Sequence, residues 1–308
     1  MLSAIQIIKT IILIITGSCG LILNSWIVAV HLSHWKKGVS LGDCDQIILI
    51  MGVTNVLLQC LLTFSGFQRL LFWLYHNSEF TVLGCILFLF LSYLSMWLTV
   101  CLSICYCVKL ANISHGLFVR LKRGISTAST LFLFGSVVAS CLINVPLIWT
   151  MDTEFLENTT ADNVIYKLDI KFMSFNIVFG CCVPILVTSL CIGLSVMSLL
   201  RHVQRMKNNT SPSWNPQLKS HERACRTMSL VLILNLTFSV TIITLAMGLM
   251  NHKDVLVNDI LYWSVVLTNP SAAAIVLIFG NTKLKTALSK KMLFFINCFL
   301  TMNEVITI

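Results

Sequence analysis

Seven long apolar stretches constrain this chain more than any other feature of its sequence. A helix needs roughly 20 apolar residues to cross the hydrocarbon core of a bilayer. Because 57% of the residues are hydrophobic and only 11% are charged, against about 25% charged in soluble domains, the chain cannot cover a water-soluble surface. The sequence predicts an all-α fold, a seven-transmembrane helix bundle that forms a single domain over 1–308, with spans at about 4–32, 44–71, 81–110, 126–149, 172–200, 228–250 and 257–280 and a tail at 281–308.

The basic residues predict how the bundle is oriented in the membrane. Short loops rich in Lys and Arg stay in the cytoplasm, and 16 of the 21 Lys and Arg residues fall on one side of the predicted spans. Four of the 12 acidic residues lie there too, so this side carries +12 and the other −3. We therefore expect a multi-pass protein of the plasma membrane, with the amino terminus outside and the carboxyl terminus cytoplasmic.

The net charge of +9 does not indicate a nucleic-acid partner. Nucleic-acid binding needs a basic stripe with stacking aromatic residues on a soluble fold, whereas these charges sit at the helix ends, in the loops and in the tail on one side of seven spans. Attraction to anionic membrane lipid accounts for the same charges. A partner-facing role is strongest in the loop 201–227, which is rich in Lys and Arg.

Glycosylation sequons supply an independent test of this orientation. The chain has five Asn-x-Ser/Thr sequons, at Asn112, Asn158, Asn208, Asn209 and Asn235. Only an Asn in an exposed loop on the outer side can carry a glycan. Under the predicted orientation this condition is met by Asn158 alone, in the acidic loop 150–171, so we expect a glycan there and at no other sequon.

The sequence contains no motif of an enzyme. The metalloprotease H-E-x-x-H, the nucleophile G-x-S-x-G and the phosphate-binding G-x-x-x-x-G-K-[ST] are all missing, and we expect no cofactor and no metal. A small polytopic transporter is the alternative class of protein. It is disfavoured because transporters use ionisable residues at mid-bilayer or two repeated halves, and neither is seen here.

The most distinctive motif of the chain closes the third span. It runs from Trp97 to His115 as W-L-T-V-C-L-S-I-C-Y-C-V-K-L-A-N-I-S-H. This resembles the W-x-x-T-C-L-S-x-x-Y-x-x-K-I-A-N-F-S-H pattern of the type 2 taste receptors, the bitter taste receptor family of G-protein-coupled receptors, with differences around Thr99 and at Ile113. Weaker matches follow the same order along nearly the whole chain, at Gly20 to Asn24, Asp45, Ser198 to Met206, His221 to Thr227 and Asn281 to Lys285.

Some positions depart from the pattern of that family. The second span has Asn55 where the family usually has Arg, the fifth has Ser195 at an altered L-x-x-S-L motif, and the seventh has Ala273 where His is usual. In the family these positions hold the inactive state, so the departures bear on basal activity. They leave a second receptor reading open, that of a type 1 vomeronasal-like pheromone receptor.

The resemblance implies a ligand pocket among the outer halves of the second, third, fifth, sixth and seventh spans. No acidic residue is among the implied positions, so we expect an uncharged or weakly basic, largely apolar small-molecule agonist. Three pairs are spaced i, i+4 and so share a helix face. The implied pocket residues are Ser65, Gly66, Phe88, Ser92, Asn176, Gly180, Thr237, Thr241 and Trp263.

The same resemblance implies a cytoplasmic cleft that admits a helix of a gustducin-like heterotrimeric G protein. Tyr106 and Lys109 lie one turn apart at the end of the third span, where other receptors carry an ionic latch. The residues that we expect to take part in coupling are Tyr106, Lys109, His115, Arg201, His202, His221 and Arg226.

Overall fold

Long helices dominate the computed structural model of this protein, which describes residues 4–71, 78–110, 120, 123–154, 165–168, 170–208, 216–246, 255–291 and 293. The first four spans are the helices Ala4–Lys36, Asp43–Leu71, Ser78–Leu110 and Ile125–Thr150. The fifth span joins Ile170–Asn176, a π-helical segment Ile177–Cys182 and Val183–Asn208, and the sixth and seventh are Pro216–Ala246 and Val255–Gly280. A further helical segment covers 282–291.

The predicted number of spans is confirmed, because the described residues contain seven helices long and apolar enough to cross a membrane. The helices extend beyond the apolar stretches in several places. The sixth begins at Pro216, well before the predicted start at 228, since its first turns are polar and hydropathy does not register them. The predicted all-α class is also confirmed.

One small sheet interrupts the helices, in the predicted loop 150–171. Its strands Met151–Glu154 and Ile165–Leu168 pair in antiparallel register, with Met151 opposite Leu168 and Glu154 opposite Ile165. The first strand continues directly from the fourth helix, which ends at Thr150. The pairing satisfies backbone groups just beyond that helix end. The sequence predicted only a loop in this segment.

The end of the first helix shows how the local sequence stops a span. Gly38 has a φ of 75°, a left-handed conformation that costs glycine little because it has no Cβ. The Gly38 N–H donates to the Trp35 carbonyl at 3.0 Å, and the Val39 N–H donates to the His34 carbonyl at 3.2 Å. These two bonds form the Schellman motif that terminates helices. The chain can then turn toward the second helix at Asp43.

The third span lies at the centre of the bundle, in contact with the second, fourth, fifth and sixth spans. Its Leu98 is fully buried in a cluster that includes Ile47 of the second span and Leu277 of the seventh. Large apolar side chains also cover the outside of the bundle, such as Ile22 and Phe134. Because lipid is as apolar as the core, close packing and not hydrophobic burial distinguishes the inner faces of these helices.

The fifth span contains a wide turn immediately before Pro184. The N–H of Val183 donates to the carbonyl of Val178, five residues earlier, as in a π-helix. A proline in a helix has no N–H to donate, and its ring crowds the carbonyl four residues before it, here that of Gly180. The wide turn accommodates this crowding. It also places Gly180 and Cys181 in the buried face of the span.

Candidate functional site

An aromatic contact joins the third and sixth spans in one half of the bundle. The rings of Phe88 and Phe238 lie 6.4 Å apart between centroids and are tilted by 55°, a geometry that aromatic pairs favour. Phe88 and Trp263 of the seventh span are both half-buried against the same apolar cluster, which contains Leu62, Leu91, Phe238 and Val266. The structure therefore brings two of the predicted pocket residues, Phe88 and Trp263, onto one apolar wall.

Two further predicted pocket residues are buried and carry an unpaired polar atom. Ser92 lies one turn along from Phe88, and its Oγ has no hydrogen-bond partner among the described residues. In the fifth span, Asn176 donates from Nδ2 to the Phe172 carbonyl at 3.1 Å, while its Oδ1 is without a partner in the described structure. Buried polar atoms usually have partners, so these two atoms mark places where a ligand or water can bind.

Close packing of Tyr93 against Gly180 joins the third span to the π-helical segment. A Cβ added at Gly180 would lie 2.5 Å from Cε1 of Tyr93. Only glycine permits this approach, because Tyr93 is itself buried beside Met96 and Cys181. The absence of a side chain at Gly180 therefore lets Tyr93, the residue next to Ser92, lie directly against the fifth span.

Four other predicted pocket residues are placed less favourably for a pocket. Thr237 is exposed on the face that carries Ile233 and Val240, and its hydroxyl donates to the Leu234 carbonyl. Gly66 is buried against Leu13 of the first span. Ser65 is half-buried. Thr241 is half-buried too, and its hydroxyl donates to the Thr237 carbonyl at 2.8 Å.

Phe238 was not among the predicted pocket residues, although it faces Phe88 more directly than either threonine of the sixth span. Phe238 and Val231 are both buried and stand two turns apart, so they define the inner face of this helix. A helical wheel centred on these two residues would have placed Thr237 on the outside. The two threonines were implied as pocket residues by the family resemblance, and a threonine in a membrane helix can also bond its own backbone.

At the opposite end of the third span, Lys109 makes an ion pair with the second span. Its Nζ lies 3.2 Å from Asp43 Oδ2 and donates to Cys44 Sγ at 3.5 Å. Tyr106, one turn earlier, is half-buried against the central cluster that contains Cys105 and Leu284. The predicted coupling residue Lys109 is therefore held to the second span in this structure.

The structure describes some of the remaining predicted coupling residues but not all of them. Arg201 of the fifth span and Arg226 of the sixth are exposed, and His221 is half-buried. His115 and the side chain of His202 lie outside the described residues. The described members of this set thus come from the third, fifth and sixth spans.

A buried carboxylate near Lys109 joins three parts of the chain. Asp45 Oδ2 accepts a hydrogen bond from Lys283 Nζ at 2.6 Å, and Oδ1 accepts one from Asn281 Nδ2 at 3.2 Å. His31 Nε2 of the first span lies 3.8 Å from Oδ1. The motif matches at Asp45 and at Asn281 to Lys285 were the available sequence signals, but neither indicated that the two segments meet.

Asn281 also starts the helical segment that follows the seventh span. Its Oδ1 accepts the N–H of Lys283 at 2.9 Å and that of Leu284 at 3.5 Å, which is the bonding of an N-cap residue. The same side chain therefore caps one helix and binds Asp45 with its amide nitrogen. Among the described residues, no group of three or more His, Cys, Asp or Glu could hold a metal ion.

Comparisons with known proteins point to one family. The family model described as taste receptor protein (TAS2R) matches residues 1–297. Human taste receptor type 2 member 9 is 29% identical over 307 residues, which cover 97% of each chain. Taste receptor type 2 member 4 of Gorilla gorilla gorilla is 27% identical over 286 residues, 92% of this chain and 95% of the relative. These relatives are receptors, which confirms the prediction that this chain is not an enzyme.

Proposed function

This chain belongs to the taste receptor protein (TAS2R) family, and from that membership we propose that it is a G-protein-coupled receptor for bitter compounds. It binds small, largely apolar agonists in a transmembrane pocket open to the outer face and activates a gustducin-like heterotrimeric G protein. The whole chain, 1–308, forms one receptor domain in the plasma membrane. Its amino terminus is outside and its carboxyl terminus is in the cytoplasm, as the distribution of Lys and Arg favours.

The apolar wall shared by Phe88 and Trp263 is the observation that carries the pocket. Ligand pockets are mostly apolar and contain a few polar groups that fix the orientation of the ligand. Ser92 Oγ and Asn176 Oδ1 are unpaired and buried in the described structure, and they supply those groups. The proposed site also includes Ser65, Thr241 and Gly180. Gly180 contributes through its close contact with Tyr93. Gly66 and Thr237 are left out because they face Leu13 and the outside of the bundle.

The chemistry of the pocket selects the class of agonist. None of the residues of the proposed site is acidic, so it offers no carboxylate to pair with a protonated amine. Aromatic contact with Phe88 and Trp263 favours an apolar body, and Ser92 and Asn176 favour one or two hydrogen-bonding groups. The agonist is therefore an uncharged or weakly basic small molecule.

On the cytoplasmic side, the G protein contacts the ends of the third, fifth and sixth spans. The predicted residues there are cationic or polar, and Arg201 and Arg226 are exposed. Lys109 is bound to Asp43 at 3.2 Å, so engagement of Lys109 by a G protein would require that ion pair to rearrange. A ligand-driven switch requires two such arrangements, here Lys109 bound to Asp43 and Lys109 released from it.

Calcium signalling tests the proposal directly. Cells that contain the receptor and a gustducin-like or promiscuous G protein are exposed to a panel of bitter compounds and, separately, to volatile pheromone-like molecules. With an active bitter compound, Phe88→Ala and Trp263→Ala are each expected to raise the half-maximal concentration about tenfold, as loss of a buried aromatic anchor does. Phe134→Ala removes an aromatic ring that is 69% exposed on the fourth span, so it serves as the matched control.

The outcomes separate the remaining readings. Unchanged responses in both pocket variants at equal surface expression would place the agonist elsewhere. Responses to volatile molecules alone would favour the vomeronasal-like alternative. Membership in the taste receptor family disfavours that alternative. Substrate flux in cells without any G protein would indicate a transporter.

A further inference from the structure

Two cysteines face each other between the third and fifth spans, near the end of the third span that carries Lys109. The Cys107 side chain interacts with the Cys191 thiol and with the Ser195 hydroxyl. Cys107 is 2% exposed, whereas Cys191 is half-buried, and both are free thiols in this structure. Neither cysteine belongs to the proposed ligand pocket or to the predicted coupling residues.

The packing of the two spans follows one register over most of their length. Tyr93 of the third span lies directly against Gly180 of the fifth. Toward the other end, Ser198 Oγ donates to the Leu110 carbonyl at 3.5 Å. Ser198 follows Leu110 by 88 residues, and Gly180 follows Tyr93 by one residue fewer. The two helices therefore run parallel and in contact between these points.

This register places Cys107 opposite Ser195, because the same 88 residues separate them. Cys191 is one turn before Ser195 and shares its helix face. A serine hydroxyl has one proton, and Ser195 donates it to the Cys191 carbonyl at 2.8 Å. The Cys107 thiol therefore donates to Ser195 Oγ, and its sulfur accepts from the Cys191 thiol. The packing thus directs the two sulfur atoms toward each other.

We propose that Cys107 and Cys191 form a site of reversible oxidation, at which hydrogen peroxide closes a disulfide between the third and fifth spans. A sulfenic acid formed on one cysteine condenses with an adjacent thiol, and here the adjacent thiol is already in place. Because Cys191 is half-buried, a small uncharged peroxide has access to the pair. Cytoplasmic thiols reopen such a bond by exchange, as they do for redox-sensing disulfides.

The reaction balances with hydrogen peroxide as the oxidant. The sulfur of the first thiol attacks one peroxide oxygen, the O–O bond breaks, and the released hydroxide takes the thiol proton and leaves as water. The second thiol then attacks the sulfenic sulfur. The S–S bond forms, the S–O bond breaks, and hydroxide leaves as a second water with the proton of the second thiol. The two thiols lose two electrons, and the peroxide is reduced to two water molecules.

The disulfide would fasten the fifth span to the third close to the predicted coupling residues. Cys107 follows Tyr106 directly and precedes Lys109 by two residues, and Arg201 continues the helix that contains Cys191. A covalent link between two helices opposes the relative shifts by which switching proteins change state. We therefore expect oxidation to weaken the agonist response, and this part of the inference rests on the proposed coupling to a G protein.

Peptide mass spectrometry of the full-length receptor in cell membranes tests the oxidation site. Membranes are treated with hydrogen peroxide, the remaining thiols are blocked with N-ethylmaleimide, and the digest is searched for a peptide that joins Cys107 to Cys191. We expect this cross-linked peptide, lighter by two hydrogen atoms than its two parts together, and its disappearance with dithiothreitol. If both cysteines of the unmodified receptor are instead blocked by N-ethylmaleimide after peroxide, or carry oxygen without a cross-link, the proposal is overturned.

Substitutions identify the two sulfur atoms. Cys107→Ala and Cys191→Ala should each abolish the cross-link. Cys225→Ala is the matched control, because Cys225 is a buried thiol of the sixth span that also lies near Cys107. It should leave the cross-link in place. A cross-link that survives Cys191→Ala but not Cys225→Ala would assign the bond to the sixth span and contradict the proposal.

Calcium signalling measures the effect of the disulfide on the receptor. After brief exposure of cells to peroxide, the half-maximal agonist concentration should rise about fivefold or more, and dithiothreitol should restore it. Cys191→Ala should not respond to peroxide, whereas Cys225→Ala should respond like the unmodified receptor. A peroxide effect that Cys191→Ala retains would contradict regulation by this pair. The peptide measurement needs no agonist, so a receptor that forms the cross-link but answers no bitter compound would count against the proposed function alone.

Discussion

Lys283 and Asp45 form an ion pair that fastens the end of the seventh span to the start of the second, with Nζ 2.6 Å from Oδ2. The side chain of Asp45 is 11% exposed, whereas that of Lys283 is 52% exposed. Asp45 also accepts a bond from Asn281, and Asn281 caps the segment 282–291 through Lys283. The Asp45 carboxylate therefore binds both Lys283 and Asn281, the residue that caps the helical segment after the seventh span.

This relationship predicts non-additive losses of stability. Lys283→Gln is expected to lower the free energy of unfolding by about 1 kcal/mol, because the lysine is half-exposed and its ion pair is partly screened. Asp45→Asn should cost more, since it also disturbs Asn281 and His31. The double variant should be no less stable than Asp45→Asn alone. Thermal unfolding of the purified receptor measures all three, with exposed Lys285→Gln as control, and fully additive losses would contradict the pairing.

The second prediction concerns coupling to the G protein. We expect Tyr106→Ala, Lys109→Ala and His221→Ala each to weaken the calcium response, with half-maximal concentrations raised about fivefold or more, the range of typical coupling energies. The reason is that Tyr106 and Lys109 lie at the end of the third span, where Lys109 is held by Asp43. Lys36→Ala removes an exposed lysine from the end of the first helix and is the matched control.

The calcium responses of the three variants can also contradict this prediction. If all three variants signal like the unchanged receptor at equal surface expression, the G protein does not contact this end of the third span. A loss of response that Lys36→Ala shares would instead report a general effect of removing cytoplasmic charge.

Glycosylation tests the proposed orientation of the whole bundle. Asn158 lies in sequence between the two strands that the structure describes, Met151–Glu154 and Ile165–Leu168. If this loop is extracellular, treatment with a glycosidase increases the mobility of the receptor on a gel, and Asn158→Gln removes that shift. Asn208→Gln is expected to leave the shift unchanged. A glycan on Asn208 would reverse the orientation and with it the assignment of the two faces.

Hydropathy was sufficient to predict the seven spans, because the bilayer fixes the length of an apolar helix independently of its neighbours. The inner face of each span was harder to predict. Lipid-facing and core-facing residues are equally apolar in a membrane helix, so nothing in the composition separates Phe238, which packs on Phe88, from exposed Val240. Thr237 was implied as a pocket residue by the family resemblance, which does not fix the face that this helix turns to the core.

The ion pairs between distant residues could not be predicted from the sequence, for a different reason. Asp43 and Lys109 belong to different spans, and Asp45 and Lys283 lie 238 residues apart. The sequence drew attention to Asp45, Lys109 and the segment that contains Lys283, but only the packing of the helices decides which charges meet. The close contact of Gly180 with Tyr93 likewise depends on how the helices pack, although Pro184 was a visible signal of a disturbed helix.

The contact of Tyr93 with Gly180 predicts opposite effects for two glycines of the fifth span. Gly180→Ala would place a methyl group 2.5 Å from the buried ring of Tyr93, so we expect it to cost about 1–3 kcal/mol, the usual penalty for overpacking. Because Tyr93 adjoins Ser92, the agonist response should also weaken. Gly193 has nothing within 4 Å of an added Cβ in the described structure, so Gly193→Ala should stabilise the helix by up to about 1 kcal/mol. Thermal unfolding and calcium dose responses of both variants measure these effects, and equal stability of the two would contradict a close contact of Tyr93 with Gly180.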